Sequence, residues 1–200
     1  MIRHSLQLVI LVIVLNSCAS NYNLIHPESL SYIGESENNG VKFDYKYGVL
    51  EESQNRKYAK KEGKKGVKVV AIKITNDSGQ AFTFGEAVKV FANDMEIEPM
   101  LPDQIKKSLK QSTPIYLLYS LLVLNIGNCE NGDCNTTTIP IGIPITIGNM
   151  AVAGSANQKF LGELNHTDLS KKEIGPGETV HGLIGIKTPY APKLTFTVDL

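Results

Sequence analysis

The chain has 200 residues, of which 42% are hydrophobic, and its 20 basic and 20 acidic side chains give a formal net charge of zero. A chain of this length can bury a sizeable core within one domain. Balanced charge excludes the strong positive field on which general nucleic-acid binding depends, so we expect no nucleic-acid partner.

The first seventeen residues have the layout of a secretory signal peptide. Arg3 supplies a basic start, and an apolar run from Leu6 to Leu15 follows it. The run is too short to cross a bilayer, because a spanning helix needs roughly 20 apolar residues. The pattern therefore predicts a signal peptide over residues 1–17 that is removed on export.

The segment Leu15-Asn16-Ser17-Cys18 ends this run and resembles the lipobox of bacterial lipoproteins. The resemblance implies a diacylglyceryl thioether on Cys18 and an acylated amine, with acyl chains such as palmitate. Two or three chains hold a protein stably on a membrane, whereas one chain binds only marginally. Ala19 stands where an aspartate would indicate inner-membrane retention, so the resemblance favours the outer membrane of the cell envelope. The alternative is an ordinary signal peptide followed by an incidental cysteine.

Two further cysteines, Cys129 and Cys134, frame the turn sequence Glu130-Asn131-Gly132-Asp133. Asn-Gly is typical of a tight turn, and the compartment reached by export is oxidising. We therefore expect a disulfide between Cys129 and Cys134. A metal site is the alternative, but structural zinc needs four ligands and no third ligand lies nearby in the sequence. We expect no metal and no cofactor.

Much of the sequence alternates with the period of a β-strand. Val41, Phe43 and Tyr45 share one face of a predicted strand, for example, and charged residues take the other face. Short strands at such spacing predict an antiparallel sandwich. The lysine-rich stretch from Arg56 to Lys68 is predicted to be a solvated hairpin loop, and contact with anionic lipid phosphates is the alternative. Further strands are predicted over residues 67–75, 82–84, 88–91, 95–97, 179–187 and 193–200.

Two motifs in this β pattern carry a resemblance to a known group of proteins. The runs from Lys68 to Asn76 and from Pro176 to Gly185, with a closing strand at Leu194-Thr195-Phe196, resemble immunoglobulin-like domains of small uncharacterised exported lipoproteins. The resemblance covers roughly half of the mature chain and carries no catalytic residue across. It implies a mainly β fold: an immunoglobulin-like antiparallel β-sandwich with an inserted apolar, partly helical segment.

These patterns divide the chain into five segments. Residues 1–17 form the signal peptide and residues 18–40 the lipidated N-terminus and tether. Residues 41–101 form the first part of the sandwich, residues 102–170 an apolar insertion with helices and the cystine loop, and residues 171–200 the last strands.

The apolar insertion starts with a short helix capped by Asp103 and continues with the run Ile115–Ile126, which is apolar on nearly every side. A helix over that run would be about 18 Å long, short of the roughly 30 Å hydrocarbon core. The run Ile139–Ile147 has isoleucine at every second position, and its two prolines forbid a central strand, so we predict an extended stretch. A helix capped by Asn149 is predicted over residues 150–164.

Two placements of the insertion remain open. It either folds back on the sandwich as a helical cap, or it presents its apolar side chains to a lipid leaflet or a membrane partner. The candidate contact residues are Ile115, Tyr116, Leu117, Leu118, Leu121, Leu122, Ile141, Ile143 and Ile145.

The sequence contains no recognisable catalytic pattern. The histidines at 26, 166 and 181 are scattered, and no nucleophile elbow, phosphate loop or zinc helix occurs, so we expect a protein that is not an enzyme. We predict a membrane-anchored, non-catalytic envelope lipoprotein that presents its apolar insertion to an envelope protein or lipid partner. The alternatives are a module that binds a lipid or small apolar ligand beneath the insertion, and a hydrolase whose site is not visible in the sequence.

Overall fold

A computed structural model of the protein describes residues 18–130 and 133–200, with the backbone alone for residues 128–130 and 133–134. The predicted signal peptide and the Asn131-Gly132 turn lie outside the described residues.

Helices and strands both contribute substantially to the described part of the chain. The strands there are β1 (Gly34–Asn38), β2 (Val41–Lys46), β3 (Val67–Asn76), β4 (Phe82–Thr83), β5 (Val88–Ala92), β6 (Met95–Ile97), β7 (Leu124–Glu130), β8 (Asp133–Ile139), β9 (Glu173–Ile174), β10 (Thr179–Lys187) and β11 (Leu194–Val198). The α-helices are α1 (Val49–Glu52), α2 (Arg56–Lys65), α3 (Phe84–Ala87), α4 (Pro102–Leu109) and α5 (Gly142–His166), and two 3-10 helices cover Pro27–Ser29 and Thr113–Leu121.

The chain divides into two compact units. The sheet unit comprises residues 22–110 and 157–200, and the described part of the apolar unit comprises residues 18–21 and 111–156. The apolar unit is therefore narrower than the predicted insertion over 102–170, because helix α4 and the last turns of α5 belong to the sheet unit.

A four-stranded antiparallel sheet, in the order β1-β2-β3-β10, forms the larger part of the sheet unit. Strand β3 is rich in valine and isoleucine, which favour strands, and it is buried along most of its length. On β2, the predicted alternation carries Val41 and Phe43 into the core, where Phe43 lies opposite Ile74 of β3.

A second antiparallel sheet has the order β11-β5-β6. Phe196 of β11 lies opposite Val90 of β5, and both side chains are buried. The ring of Phe196 stacks on Phe43 of the first sheet, with centroids 4.8 Å apart and an interplanar angle of 9°. Side chains of both sheets therefore enter one hydrophobic core.

The predicted antiparallel sheets are confirmed, but the prediction of a mainly β chain is wrong. The fold is a mixed arrangement of helices and open antiparallel sheets. The predicted hairpin over β5 and β6 is present, with Ala92 opposite Met95. Asn93 and Asp94 in its turn have φ angles of 48° and 66°, as a two-residue turn that matches the strand twist requires.

The lysine-rich stretch is helix α2, not the predicted loop. Lysine, alanine and glutamate favour helices, and a helix over these residues brings Tyr58 and Glu62 onto one buried face. Gly66 ends the helix with a φ of 59°, the left-handed conformation that glycine adopts without strain. The helix lacks an apolar sequence pattern, because its buried stripe consists of one aromatic and one charged residue.

The predicted tether over residues 18–40 is docked along most of its length. Tyr22 and Ile25 are buried, and strand β1 pairs with β2 from Gly34, opposite Tyr45, to Asn38, opposite Val41.

In the apolar unit, helix α5 starts eight residues before the predicted start at Met150 and includes residues 142–147 of the stretch predicted to be extended. Pro144 is tolerated there because the backbone N–H groups of a first helical turn have no intrahelical partner. Gly142 is required where the helix begins, because a Cβ atom on it would clash with the carbonyl oxygen of Tyr119. The apolar run Ile115–Ile126 is divided between the 3-10 helix Thr113–Leu121 and the start of strand β7.

Candidate functional site

The backbone that follows Cys18 is held by side chains of the apolar unit. The Ala19 N–H donates a hydrogen bond to the Asn149 side-chain oxygen, at 2.6 Å. Ser20 donates its N–H to the Gln111 side chain at 3.2 Å and accepts a bond from the same amide at 2.7 Å. Cys18, the residue predicted to carry the lipid, is therefore followed directly by backbone that is hydrogen-bonded to the apolar unit. Asn149 lies inside helix α5, not at the cap position predicted for it.

Cys18 itself is partly buried and lies within electrostatic range of two tyrosines. Burial raises the pKa of Tyr116, and both Tyr119 and Cys18 add to the rise. Burial and Cys18 likewise raise the pKa of Tyr119. The Cys18 thiol, which would carry the thioether, thus interacts electrostatically with tyrosines of the 3-10 helix Thr113–Leu121.

The predicted contact residues differ in their exposure. Tyr116 is 3% exposed, and Thr146 donates a hydrogen bond to its carbonyl oxygen at 3.1 Å, so Tyr116 belongs to the interior. Ile115, Leu117, Leu118, Leu121 and Ile143 are exposed, and Leu122, Ile141 and Ile145 are half-buried.

Five more exposed apolar side chains of the same unit were absent from the prediction: Val123, Leu124, Ile126, Ile139 and Ile147. Together with the five exposed residues predicted, they form a set that we call the apolar surface. Of the 16 large apolar side chains exposed in the described part of the chain, these ten belong to the apolar unit. Soluble proteins rarely concentrate exposed apolar side chains in this way except at an interface.

The strand register explains part of this surface. Leu124 lies opposite Ile139, and Ile126 lies opposite Thr137. Because side chains alternate along a strand, these residues share one face of the β7–β8 hairpin. On the other face, Thr138 donates a hydrogen bond to Asn125 at 2.7 Å. The alternation Leu-Asn-Ile was the sequence signal for this amphipathic ribbon.

Charge is nearly absent from the sequence of the apolar unit. Residues 111–156 contain two charged side chains, Glu130 and Asp133, and residues 18–21 contain none. Both charged residues flank Asn131 and Gly132 in the sequence. Charged side chains cover most soluble surfaces, so their restriction to one end of a hairpin is typical of a surface that meets an apolar medium.

The same hairpin brings the two predicted disulfide partners into register. Cys129 of β7 lies directly opposite Cys134 of β8. Opposite residues of an antiparallel pair have Cα atoms about 4.5 or 5.5 Å apart, and both separations suit a disulfide. The bond itself stays a prediction.

Glu163 forms a polar centre in the sheet unit that the sequence analysis missed. Its carboxylate accepts hydrogen bonds from the Tyr22 hydroxyl at 2.5 Å and from the Ile25 and His26 N–H groups at 2.7 and 3.4 Å. Burial raises the pKa of Tyr22, and Glu163 adds to the rise. An acidic residue between Phe160 and Leu164 on an apolar stretch of helix was the available signal.

An open cavity of about 660 Å³ lies beside Glu163 in the sheet unit. It brings together His26 and His166, which are far apart in the sequence. Its lining residues are Tyr22, Leu24, His26, Pro27, Glu28, Lys159, Gly162, Glu163, His166 and Thr167. None of them is a predicted contact residue of the insertion.

No protein-family model, curated protein or solved structure matches this chain. In the portion of the chain that the structure describes, no three His, Cys, Asp or Glu side chains come together as a possible metal site. None of the helices described here combines the length and apolar character needed to cross a bilayer.

Proposed function

We propose that this chain is a non-catalytic lipoprotein of the bacterial cell envelope, and that its apolar surface sits in the lipid leaflet beside the acyl chains on Cys18. One observation carries the proposal: Cys18 and the exposed apolar side chains belong to the same compact unit. The hydrogen bonds of Ala19 and Ser20 hold the start of the mature chain on that unit. Acyl chains attached there would enter the membrane next to the apolar surface.

Transfer of the apolar surface into lipid is favourable. Fully burying one leucine or isoleucine side chain contributes roughly 1.5–3 kcal/mol, and the ten residues of the surface are each exposed over a third or more of their area. Each side chain therefore contributes on the order of 1 kcal/mol. A few such contributions equal those of several acyl CH₂ groups, at about 0.8 kcal/mol each.

The unit is suited to the interface between headgroups and hydrocarbon. The β7–β8 hairpin is a two-stranded sheet, so the outer edges of both strands leave backbone groups unpaired. An unpaired backbone group costs several kcal/mol in hydrocarbon. The amphipathic ribbon therefore lies flat at headgroup level, with Leu124 and Ile126 toward the acyl chains.

Two finer features belong to the same proposal. The two sheets of the sheet unit are proposed to form an immunoglobulin-like sandwich, supported by their shared core and by the stacking of Phe43 on Phe196. The outer membrane is the proposed location, supported by Ala19 after the lipidated cysteine.

Flotation with vesicles of phosphatidylcholine tests the proposal, using the unacylated mature chain, residues 18–200 with Cys18→Ser. We expect this protein to float with the vesicles. The double variant Leu118→Gln/Leu121→Gln replaces side chains that are 62% and 78% exposed, so its folding should be unaffected. Each change removes on the order of 1 kcal/mol of transfer free energy, and partition should fall about tenfold or more.

The matched control is Ile33→Gln/Met95→Gln, which replaces side chains of the sheet unit that are 85% and 65% exposed. It should float like the unsubstituted protein. The proposal fails if the unsubstituted protein never floats, or if the control loses as much partition as the Leu118 and Leu121 variant.

The cavity beside Glu163 supports a second candidate function, binding of a small amphipathic ligand. Its volume of about 660 Å³ lies in the range of ligand pockets, and its walls combine Tyr22 and Leu24 with the imidazoles of His26 and His166. Gly162→Leu should fill it without strain, because a Cβ atom on Gly162 meets nothing within 4 Å.

Native mass spectrometry of the purified protein tests this candidate. A co-purified small molecule that disappears in Gly162→Leu would support it. The control Gly63→Leu lies on helix α2, where a Cβ atom also meets nothing within 4 Å. Equal occupancy in both variants, or no bound molecule in the unsubstituted protein, would count against it.

A further inference from the structure

Helix α2 carries a regular stripe of lysines. Lys57, Lys60, Lys61 and Lys64 follow the spacing i, i+3, i+4, i+7, which places them on one face of the helix. Tyr58 points away from that face and is fully buried. We call these four lysines, together with Lys110, the basic stripe.

Tertiary structure adds Lys110 to the stripe. The Lys61 ammonium donates a hydrogen bond to the carbonyl oxygen of Lys110, the residue that follows helix α4. Burial lowers the pKa of Lys61, and Lys65, Lys110, Lys57 and Lys64 lower it further. Residues far apart in the sequence thus form one positive cluster within the sheet unit.

The acidic residue inside the lysine run does not neutralise this cluster. Glu62 is buried, and its carboxylate accepts a hydrogen bond from the Val69 N–H at 2.7 Å. Within residues 18–130 and 133–200, no carboxylate lies within 4 Å of the ammonium groups of Lys60, Lys61 or Lys64.

Helix stability alone does not account for the stripe. Lys64, in the last turn, interacts favourably with the helix dipole. Lys57 and Lys60 are in the first half of the helix, where the dipole gives no such benefit. Like charges four residues apart destabilise a helix, and the stripe contains the pairs Lys57–Lys61 and Lys60–Lys64. A binding partner with negative charge would turn this repulsion into attraction.

We propose that the basic stripe binds the phosphate groups of anionic phospholipid headgroups in the membrane to which the chain is anchored. This inference rests on the proposed membrane function and adds a lipid preference to it. Lysines near an anionic leaflet bind it electrostatically, each changing the affinity about fivefold. The one aromatic residue of α2, Tyr58, is buried, so the stripe lacks the exposed rings on which single-stranded nucleic acids stack.

Sedimentation with vesicles of phosphatidylcholine alone, or mixed with phosphatidylglycerol, tests the inference on the mature chain with Cys18→Ser. The test variant is Lys60→Gln/Lys61→Gln/Lys64→Gln. The control, Lys171→Gln/Lys187→Gln/Lys193→Gln, removes the same charge from exposed positions outside the stripe. Because both variants remove three positive charges, a difference in their vesicle binding reports the position of the lysines and not the net charge of the protein.

We expect phosphatidylglycerol to raise the affinity of the unsubstituted and control proteins at low salt, and about 1 M salt to abolish the rise. The stripe variant should lose tenfold or more of that affinity and bind neutral vesicles unchanged. Its melting temperature should change little, because the removal of like-charge repulsion offsets the loss of the hydrogen bond from Lys61 to the Lys110 carbonyl oxygen. A purely structural role of these lysines would instead lower the melting temperature.

Equal losses in the stripe and control variants, or no effect of phosphatidylglycerol on the unsubstituted protein, would overturn the inference. So would binding of an RNA oligonucleotide through the stripe in the absence of any preference for phosphatidylglycerol. The protein could instead fail to bind neutral vesicles and bind anionic vesicles through the basic stripe. That outcome would contradict the proposed insertion of the apolar surface into lipid. It would still support the proposed role of the basic stripe.

Discussion

The side-chain oxygen of Asn149 accepts a hydrogen bond from the backbone N–H of Ala19, across 130 residues of sequence. The second group of the same amide donates to the Ile145 carbonyl oxygen at 2.9 Å, which orients the side chain on helix α5. The residue after the predicted lipidation site is thereby held on the apolar unit. If Cys18 carries acyl chains as proposed, their distance from the apolar surface is set by the fold and not by a free linker.

Replacing Asn149 should release the backbone that follows Cys18. One hydrogen bond contributes about 1 kcal/mol, so Asn149→Ala should speed amide exchange at Ala19 about fivefold. Hydrogen–deuterium exchange followed by mass spectrometry measures this directly. The control Gln158→Ala changes an exposed residue of the same helix. Unchanged exchange at Ala19 in Asn149→Ala would show that Gln111 alone holds the segment.

Glu163 should contribute strongly to stability. Glu163→Gln replaces a carboxylate that accepts hydrogen bonds from the Tyr22 hydroxyl and the Ile25 and His26 N–H groups by a neutral amide. Hydrogen bonds to a charged group contribute roughly 1.5–3 kcal/mol and those between neutral groups about 1 kcal/mol, so the variant should lose about 1–3 kcal/mol of unfolding free energy. Urea unfolding should show a loss in this range.

The control for that experiment is the exposed Glu173→Gln, which should change the free energy of unfolding little. Tyr22→Phe removes one donor and should cost about 1 kcal/mol, less than Glu163→Gln. A larger loss of unfolding free energy in Tyr22→Phe than in Glu163→Gln would contradict the stabilising role of the Glu163 carboxylate.

Stability should depend on His181 at mildly acidic pH. Burial lowers the pKa of His181 below its ordinary 6.5, Lys73 lowers it further, and Glu28 opposes them. The unfolded chain therefore takes up this proton first as the pH falls. The corresponding stability is present above pH 6.5 and is lost as the pH decreases from 6.5 to the folded pKa.

Melting temperatures measured from about pH 7 to pH 5 should decrease less in His181→Gln than in the unsubstituted protein. The neighbours Tyr32 and Asp44, which pairs with Lys73 at 3.0 Å, stay unchanged in this variant. The exposed His166→Gln is the control and should follow the unsubstituted protein. Identical pH profiles for all three proteins would exclude His181 as the source of acid sensitivity.

The hairpin should contain a disulfide between Cys129 and Cys134. Closing a loop of this size contributes about 2 kcal/mol by chain entropy, so Cys129→Ser/Cys134→Ser should lower stability by a similar amount. Thiol alkylation with and without reductant, read by intact mass in a Cys18→Ser background, reports the bond. Alkylation of both cysteines without reductant would show that they are free.

Sequence-based prediction succeeded where the signal is local. Strands β2, β3, β10 and β11 follow from period-two alternation and β-branched residues, since both act within a few neighbours along the chain. It failed at helix α2, whose buried side holds Tyr58 and Glu62. A buried carboxylate is stable there only because the Val69 N–H meets it, and no local pattern predicts that contact.

The candidate site shows the same division. The apolar run in the insertion was evident from composition. Within this run, however, Tyr116 is buried, whereas Leu121, five residues later, is 78% exposed. Burial depends on which neighbours cover a side chain, and those neighbours come from distant parts of the chain.

By itself, the sequence determined the predicted export signal and Cys18, the alternating strands, the Cys129–Cys134 pairing hypothesis and the scarcity of charge in the apolar unit. Only the tertiary structure decided that Cys18 shares a unit with the apolar surface, that Glu163 holds the Tyr22 segment, and that Lys110 joins the lysines of α2. Those relationships join residues separated by tens of positions or more. The hydrophobic periodicity of a helix or strand indicates which of its faces is buried. Which other helix or strand it contacts depends on the packing of the whole core.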